Sequence, residues 1–329
     1  FLEDSVLFPS AQPKQIQVEV TSHLASGDGS LRLEAPAGWA VTDASRKITF
    51  HSDGERQYFA FTIHSEDKTA PGELKAILNV NGKQIDRGLE VIDYPHITRQ
   101  VLFPEAAVKV VRTNAITLAK HVGYIMGSGD DVPRALRQLG CQVTILDGSD
   151  VANGDLSQYD AIVTGIRAFT ERPDLVANES RLLDYVSRGG TLVVQYNRIE
   201  RGSEEILRHM GPYPFQISHD RVTVEEAPVE FDATSPLLKQ PNKITAADFD
   251  GWVQERGLYF ASSWDTRYST PFEMHDPGEA QLKGATLVTK YGKGVYIFTA
   301  FSWFRELPAG VPGAYRIFAN FLSASKTMQ

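Results

Sequence analysis

Polar side chains follow three buried-strand patterns in the second half of the sequence. Asp130 and Asp131 come after the pattern at residues 121–127, Arg167 comes after 159–166, and Gln195-Tyr196-Asn197 closes the pattern at 189–197. Ligands of open α/β sheets bind beyond the carboxyl ends of the strands. We therefore expect these polar groups to converge on one crevice and to bind a ligand there.

The residues that close the third pattern favour binding over nucleophilic chemistry. A nucleophilic enzyme needs a Ser, Cys or Thr with a base beside it, and neither a GxSxG nor a GxCxG elbow occurs. Gln195, Tyr196 and Asn197 carry amide and phenol groups, which donate and accept hydrogen bonds. Cys141 follows a helix-ending glycine and is interpreted as a small core residue. No catalytic nucleophile is predicted.

The charged members of the predicted crevice each have two interpretations. Asp130 or Asp131 is either a helix N-cap or a group that binds a hydroxyl or a cation. Arg167 either pairs with one of these carboxylates or contacts the substrate, because a guanidinium at a strand end usually meets a carboxylate.

Two later segments supply further candidates for ligand binding. Trp252, Glu255 and Arg256 lie in a turn-like segment, 248–260, which suits sugar recognition or a contact between domains. Arg305 lies in a loop before the last helix, and Trp252 or Trp303 offers a stacking face. An alternative hypothesis makes the chain a glycoside hydrolase that uses a carboxylate pair such as Asp131 and Glu255.

No metal or cofactor is predicted. The ligand-capable residues between 209 and 279 have no HxxE or HxH spacing, and are interpreted as scattered polar residues: His209, His219, Asp220, His275, Asp276 and Glu279. The glycine-rich stretch 127–133 matches neither GxGxxG nor a P-loop.

Composition excludes several classes of protein. With 329 residues we expect two domains, and a net charge of −8 argues against nucleic acid as a partner. No run approaches the roughly 18 apolar residues of a membrane span. One cysteine cannot form an intrachain disulfide. Because the first residue is Phe1 rather than Met, we expect a piece of a longer chain.

Hydrophobic periodicity divides the sequence near residue 97. Residues 1–97 alternate apolar and polar positions between turn signals, which predicts an Ig-like β-sandwich with Trp39 as a core aromatic or a sugar platform. Residues 98–329 alternate strand and helix patterns, which predicts a doubly wound, flavodoxin-like α/β domain. A hairpin around Tyr291-Gly292-Lys293-Gly294 and a helix over 313–323 close the chain.

Several long strings resemble the C-terminal region of bacterial PIG-L (LmbE-like) family deacetylases. They are DYPHI, GSGDDVPRALRQLG, YDAIVTGIRAF, GGTLVVQYN, PNKITAADFDGWVQERGLYF and LPAGVPGAYRIFANFL. The resemblance implies a zinc-dependent N-acetylglucosaminyl deacetylase domain, a hydrolase, whose His-Pro-Asp-Asp stretch does not occur in this sequence. It also implies that residues 98–329 resemble the class I glutamine amidotransferase-like fold of ThuA-type proteins, with Gln195-Tyr196-Asn197 at the elbow where amidotransferases carry a cysteine.

The resemblance implies a non-catalytic function for this chain. It would bind or orient a carbohydrate or glycoconjugate for the missing N-terminal deacetylase domain of the same polypeptide, in a secreted or periplasmic bacterial protein. The predicted ligand-binding residues are Asp130, Asp131, Arg167, Gln195, Tyr196, Asn197, Trp252, Glu255, Arg256 and Arg305.

Overall fold

A computed structural model describes residues 1–3, 5–66 and 70–328 of the chain. The chain divides into two compact units, Phe1–Arg112 and Thr113–Gln329. None of the helices in the described residues is long and apolar enough to cross a membrane.

The first unit consists of short strands whose alternating sequence buries one face. In the second strand, Ile16 and Val18 are buried while Gln15 and Gln17 are exposed, as expected for a period of two. The strands are β1 (Ser5–Phe8), β2 (Lys14–Thr21), β3 (Gly27–Glu34), β4 (Trp39–Thr42), β5 (Ser45–Phe50), β6 (Arg56–Ser65), β7 (Gly72–Val80), β8 (Lys83–Ile85), β9 (Glu90–Ile92), β10 (Gln100–Leu102) and β11 (Ala107–Arg112).

Two sheets share the main core of this unit. One has the order β1-β11-β7-β3-β5, with β8 paired to β7, and the other has the order β2-β6-β4. Trp39 is buried, makes an edge contact with Phe8 at 4.9 Å and donates its indole N–H to the Ala70 carbonyl at 3.0 Å. Trp39 is therefore a core residue, and its interpretation as a surface platform is wrong.

The prediction of an Ig-like sandwich over residues 1–97 is wrong. Strand β11 lies beyond residue 97, yet it pairs with β7 and runs parallel to β1, so the larger sheet is not antiparallel throughout. Ile85, Leu89 and Val91 lie within the segment predicted to form the sandwich, but each is at least 40% exposed. Strands β9 and β10 form a separate two-stranded ribbon. Because of β11, the division between units falls after Arg112.

The second unit mixes strands and helices. Its strands are β12 (His121–Ile125), β13 (Gln142–Ile145), β14 (Ala161–Thr164), β15 (Thr191–Gln195), β16 (Phe215–Ile217), β17 (Arg221–Val222), β18 (Val229–Phe231), β19 (Gly257–Leu258), β20 (Ala261–Trp264), β21 (Phe272–Met274), β22 (Thr286–Tyr291) and β23 (Gly294–Thr299). Its helices are α1 (Val132–Gln138), α2 (Gly148–Asn153), α3 (Ala168–Glu171), α4 (Pro173–Ala177), α5 (Glu179–Ser187), α6 (Glu204–Leu207), α7 (Trp303–Glu306), α8 (Pro312–Leu322) and α9 (Ala324–Thr327).

A six-stranded sheet forms the centre of the second unit, with the order β13-β12-β14-β15-β23-β22. Five strands are parallel, and β22 pairs antiparallel with β23 through the predicted hairpin. Thr164 of β14 lies opposite Val194 of β15, so these two strands end side by side. The segments that follow them emerge at the same edge of the sheet.

The central strands are continuous apolar runs because both of their faces are covered. All residues of β14 and β15 are buried, as is typical of parallel strands inside an α/β unit. Gly127 lies where the chain leaves β12, and a Cβ there would lie 2.1 Å from the Ile166 carbonyl oxygen. Glycine is thus needed for the close approach of the two segments that follow β12 and β14.

Candidate functional site

The ends of β14 and β15 bring Arg167 and Tyr196 together. The Arg167 backbone N–H donates to the Tyr196 carbonyl at 2.8 Å. Arg167 has φ of 59°, in the left-handed region that a non-glycine residue rarely adopts. Its side chain is half-buried and its guanidinium faces the Tyr196 phenol. Two of the predicted binding residues therefore meet as expected from the strand ends.

Aromatic rings surround this pair. The Tyr196 ring stacks on Tyr259 with centroids 5.8 Å apart and planes 13° apart, and lies 5.6 Å from the Phe304 ring. The exposed His219 ring lies 5.7 Å from Tyr259. Tyr259 and Phe304 are half-buried, so the cluster has a solvent-facing rim. Tyr259, like Arg167, has a positive φ, of 60°.

A carboxylate and a second guanidinium complete the cluster. Glu255 Oε1 accepts hydrogen bonds from Ser302 Oγ and from Arg305 Nε, both at 3.0 Å. The Arg305 guanidinium also lies 4.8 Å from the Phe304 ring centroid and donates to Gln254 Oε1. We call Arg167, Tyr196, Tyr259, Phe304, Glu255 and Arg305 the carboxyl-edge cluster.

A second carboxyl group lies beneath the cluster. Glu306 is fully buried, accepts a hydrogen bond from the Val253 N–H at 2.9 Å on Oε2, and leaves Oε1 without a partner. Burial raises the pKa of Glu306 to about 8. Burial also raises the pKa of Tyr196, and the neighbouring Arg167 opposes that rise. At neutral pH the phenol and the Glu306 carboxyl are thus mainly protonated.

Three predicted binding residues are instead held within the protein. Gln195 is fully buried and donates to the Tyr124 hydroxyl at 2.9 Å and the Thr164 carbonyl at 3.2 Å. Asn197 is fully buried and accepts from the Phe169 N–H at 2.9 Å. Asp130 accepts from the Tyr124 hydroxyl at 2.7 Å, and its burial raises its pKa. Their binding role stays a prediction that these contacts disfavour.

Two more predicted binding residues form part of the core. Trp252 is 4% exposed and packs against Trp303 and Phe301, so neither tryptophan offers a free stacking face. Arg256 is 3% exposed and donates to the Ala227 and Phe249 carbonyls. Burial lowers the pKa of Arg256 to about 10.

Asp131 lies away from the partners predicted for it. It is exposed at the start of α1 and makes no side-chain cap bond there, whereas Asp130 accepts from the Val132 N–H at 3.1 Å. The helix-capping interpretation therefore fits Asp130. Within the residues the structure describes, no ion pair joins Arg167 to either aspartate.

The structure adds three residues to the site that the sequence did not single out for it: Tyr259, Phe304 and His219. The string GLYF at 257–260 and the aromatic run FSWF at 301–304 carry the first two, but nothing in the sequence shows that they meet Tyr196. His219 and Tyr259 lie between short strands, whereas Phe304 lies in α7, after β23.

No group of three or more His, Cys, Asp or Glu side chains able to hold a metal occurs in the part of the chain that the structure describes. Asp276 instead accepts hydrogen bonds from the backbone of Thr223 and Val224, and Glu279 pairs with Arg221 at 2.7 Å.

No family model matches the chain, and no curated protein matches it. The chain is similar to three solved β-galactosidases. One is from Rahnella sp. R3, with 17% identity, a TM-score of 0.37, and coverage of 64% of this chain and 31% of that one. Another, Gan42B of family GH42, has 16% identity, a TM-score of 0.34 and coverage of 60% and 29%. The third is from Bacillus circulans sp. alkalophilus, with 13% identity, a TM-score of 0.33 and coverage of 60% and 31%.

These comparisons correct the family assignment. The similar structures are glycosidases, not deacetylases or amidotransferases, so the predicted PIG-L membership and the amidotransferase-like domain are wrong. The chain spans about a third of the length of the β-galactosidases it matches. The TM-scores are too low for a shared fold or activity to be transferred from them. A function must therefore be argued from the carboxyl-edge cluster itself.

Proposed function

We propose that the second unit binds carbohydrate at the carboxyl-edge cluster. The observation that carries the proposal is a solvent-facing aromatic surface, Tyr259 and Phe304, bordered by the hydrogen-bonding side chains of Arg167, Glu255 and Arg305. A sugar ring has an apolar C–H face and a rim of hydroxyls. An aromatic surface with a border of donors and acceptors complements both parts.

The location and the backbone support the same proposal. The cluster lies beyond the carboxyl ends of parallel strands, where open α/β sheets bind ligands. Arg167, Gln254 and Tyr259 all have positive φ, and each such residue costs about 1–3 kcal/mol unless the surrounding structure enforces it. Strain of this kind collects at functional sites more than at structural ones.

A glycoside hydrolase is the second candidate. Glu255 pairs with Arg305 at 3.0 Å, while burial raises the pKa of Glu306 to about 8. Two carboxyl groups in different environments, one paired with an arginine and one buried, are the arrangement used for acid and base in glycoside hydrolysis. No described contact joins Glu255 to Asp131, so Glu306 is the better partner for it.

Titration calorimetry with neutral tetrasaccharides of glucose, galactose and N-acetylglucosamine tests carbohydrate binding. We expect at least one of them to bind, and Tyr259→Ala to weaken that binding by about tenfold or more, equivalent to about 1.4 kcal/mol. Tyr58→Ala is the matched control, because Tyr58 is 57% exposed in the first unit. Equal loss in both variants, or no binding of any sugar, contradicts the proposal.

Hydrolysis is tested on the same tetrasaccharides by product analysis. If the chain is a hydrolase, the products appear with wild-type protein and Glu255→Gln abolishes them without changing calorimetric binding by more than a few-fold. Binding without products leaves carbohydrate recognition as the function and rejects the hydrolase.

A further inference from the structure

Arg167 differs from three partly buried arginines of the second unit that pair with a carboxylate, and from Arg181, which donates to the Val151 and Gly154 carbonyls. Arg305 pairs with Glu255, Arg172 pairs with Asp174 at 2.7 Å, and Arg316 pairs with Asp248 at 2.7 Å. Among the described residues, no carboxylate lies within ion-pair distance of Arg167. Its Nε is buried and has no hydrogen-bond partner.

A partly buried guanidinium without a carboxylate is unfavourable in the unliganded protein. Removing its charge from water costs free energy that a charge-assisted hydrogen bond normally offsets. The backbone of Arg167 is also held in the left-handed region, by its N–H bond to the Tyr196 carbonyl. The protein thus holds the Arg167 cation beside the aromatic rings, and the Tyr196 phenol that faces this cation is neutral.

The charges around Arg167 point to an anion rather than to a neutral group. In the carboxyl-edge cluster, the charge of Glu255 is balanced by Arg305 through the 3.0 Å contact. Glu306, below them, is mainly neutral at pH 7 because burial raises its pKa. The positive charge of Arg167 therefore remains, although the whole chain carries −8.

We infer that the sugar bound at this cluster carries an anionic group, a carboxylate or a sulfate, and that this group pairs with the Arg167 guanidinium. The inference rests on the proposed carbohydrate-binding function and names its ligand class. A planar guanidinium binds a carboxylate or a sulfate through paired N–H donors, which an ammonium cannot do in the same way. Because Arg167 is only half-buried, part of the residue remains accessible to such a ligand.

The test compares uronic-acid tetrasaccharides with the neutral tetrasaccharides of the same linkage by titration calorimetry, and adds sulfated sugars and inorganic sulfate. We expect the acidic sugar to bind at least about tenfold more tightly than its neutral counterpart. Arg167→Gln should abolish that preference, measured as the ratio of the acidic to the neutral Kd within the same variant, while neutral binding itself weakens because Arg167 borders the site. Arg167→Lys should restore only part of it. Arg188→Gln, at an exposed arginine paired with Asp184, is the control.

Each outcome decides the inference. A preference for acidic sugars that disappears in Arg167→Gln supports it. Whether the anionic group is a carboxylate or a sulfate is then decided by which of the two sugars, the uronate or the sulfated one, binds more tightly. Equal binding of acidic and neutral sugars, or a preference unchanged in both Arg167 variants, overturns it while leaving carbohydrate binding intact. Binding of inorganic sulfate alone, without any sugar, overturns the sugar ligand. If no sugar binds, the proposed function fails together with the inference.

Discussion

The buried carboxyl of Glu306 gives the second unit a stability that depends on pH. Its pKa in the folded protein is about 8, against 4.5 for an ordinary glutamate, because burial favours the protonated form. Since the folded pKa is the higher one, this contribution is fully present below about pH 4.5 and is lost as pH rises through about 8. From pH 5 to pH 9 the loss amounts to about 4 kcal/mol.

Glu306→Gln removes the titration and nearly keeps the shape of the side chain. The free energy of unfolding of the wild type, minus that of the variant, should fall by about 4 kcal/mol between pH 5 and pH 9. Denaturant titrations followed by tryptophan fluorescence measure it, because three of the four tryptophans, Trp252, Trp264 and Trp303, lie in the second unit. Glu230→Gln, at an exposed glutamate, is the control. A difference that stays constant within about 1 kcal/mol across this range refutes the reasoning.

Three further perturbations have definite expected outcomes. Cys141 is buried and its pKa is raised to about 12, so an aromatic disulfide reagent at neutral pH should react only after unfolding; rapid native reaction would contradict this. Asn320→Ala should lower the free energy of unfolding by about 3 kcal/mol in denaturant titrations, because the buried Asn320 amide forms hydrogen bonds with Asn242 and with the Leu237 carbonyl. A loss below about 1 kcal/mol would contradict the importance of that network. Gly127→Ala should lower the melting temperature by several degrees, since its Cβ would overlap the Ile166 carbonyl, whereas Gly88→Ala, with no close neighbour, should not; equal effects would oppose the argument.

Local elements could be predicted where a single periodicity dominates. The pattern at 121–127 corresponds to β12, the pattern at 189–197 corresponds to β15, and the hairpin around Gly292 joins β22 to β23. The helical stretch between β14 and β15 is divided, since α4 ends at Ala177 and α5 begins at Glu179. Local pattern fixes these elements because each depends on neighbours in sequence.

Long-range pairing was not predictable from the same patterns. Nothing in residues 5–8 shows that β1 will lie parallel to β11, a hundred residues later, and this pairing extends the first unit beyond residue 97. The resemblance in long strings likewise suggested a family that the comparisons do not support.

Only part of the arrangement of the candidate site could be predicted from the sequence. Strand ends indicated Arg167 and Tyr196 correctly as neighbours, because parallel strands finish at one edge. They also indicated Gln195, whose side chain points to Tyr124 inside the unit; polarity alone does not distinguish a buried network from a binding surface. The positive φ of Tyr259 has no signature in its residue type.

The left-handed backbone at Arg167, Gln254 and Tyr259 also limits how this site changes during evolution or engineering. At such positions glycine, asparagine and aspartate are tolerated best, while other replacements inherit the same strain without the original contacts. A glycine would relieve strain and often raise stability, yet it would remove a side chain of the proposed site. Selection for a more stable protein and selection that keeps the side chains of the proposed site therefore act in opposite directions at these three residues.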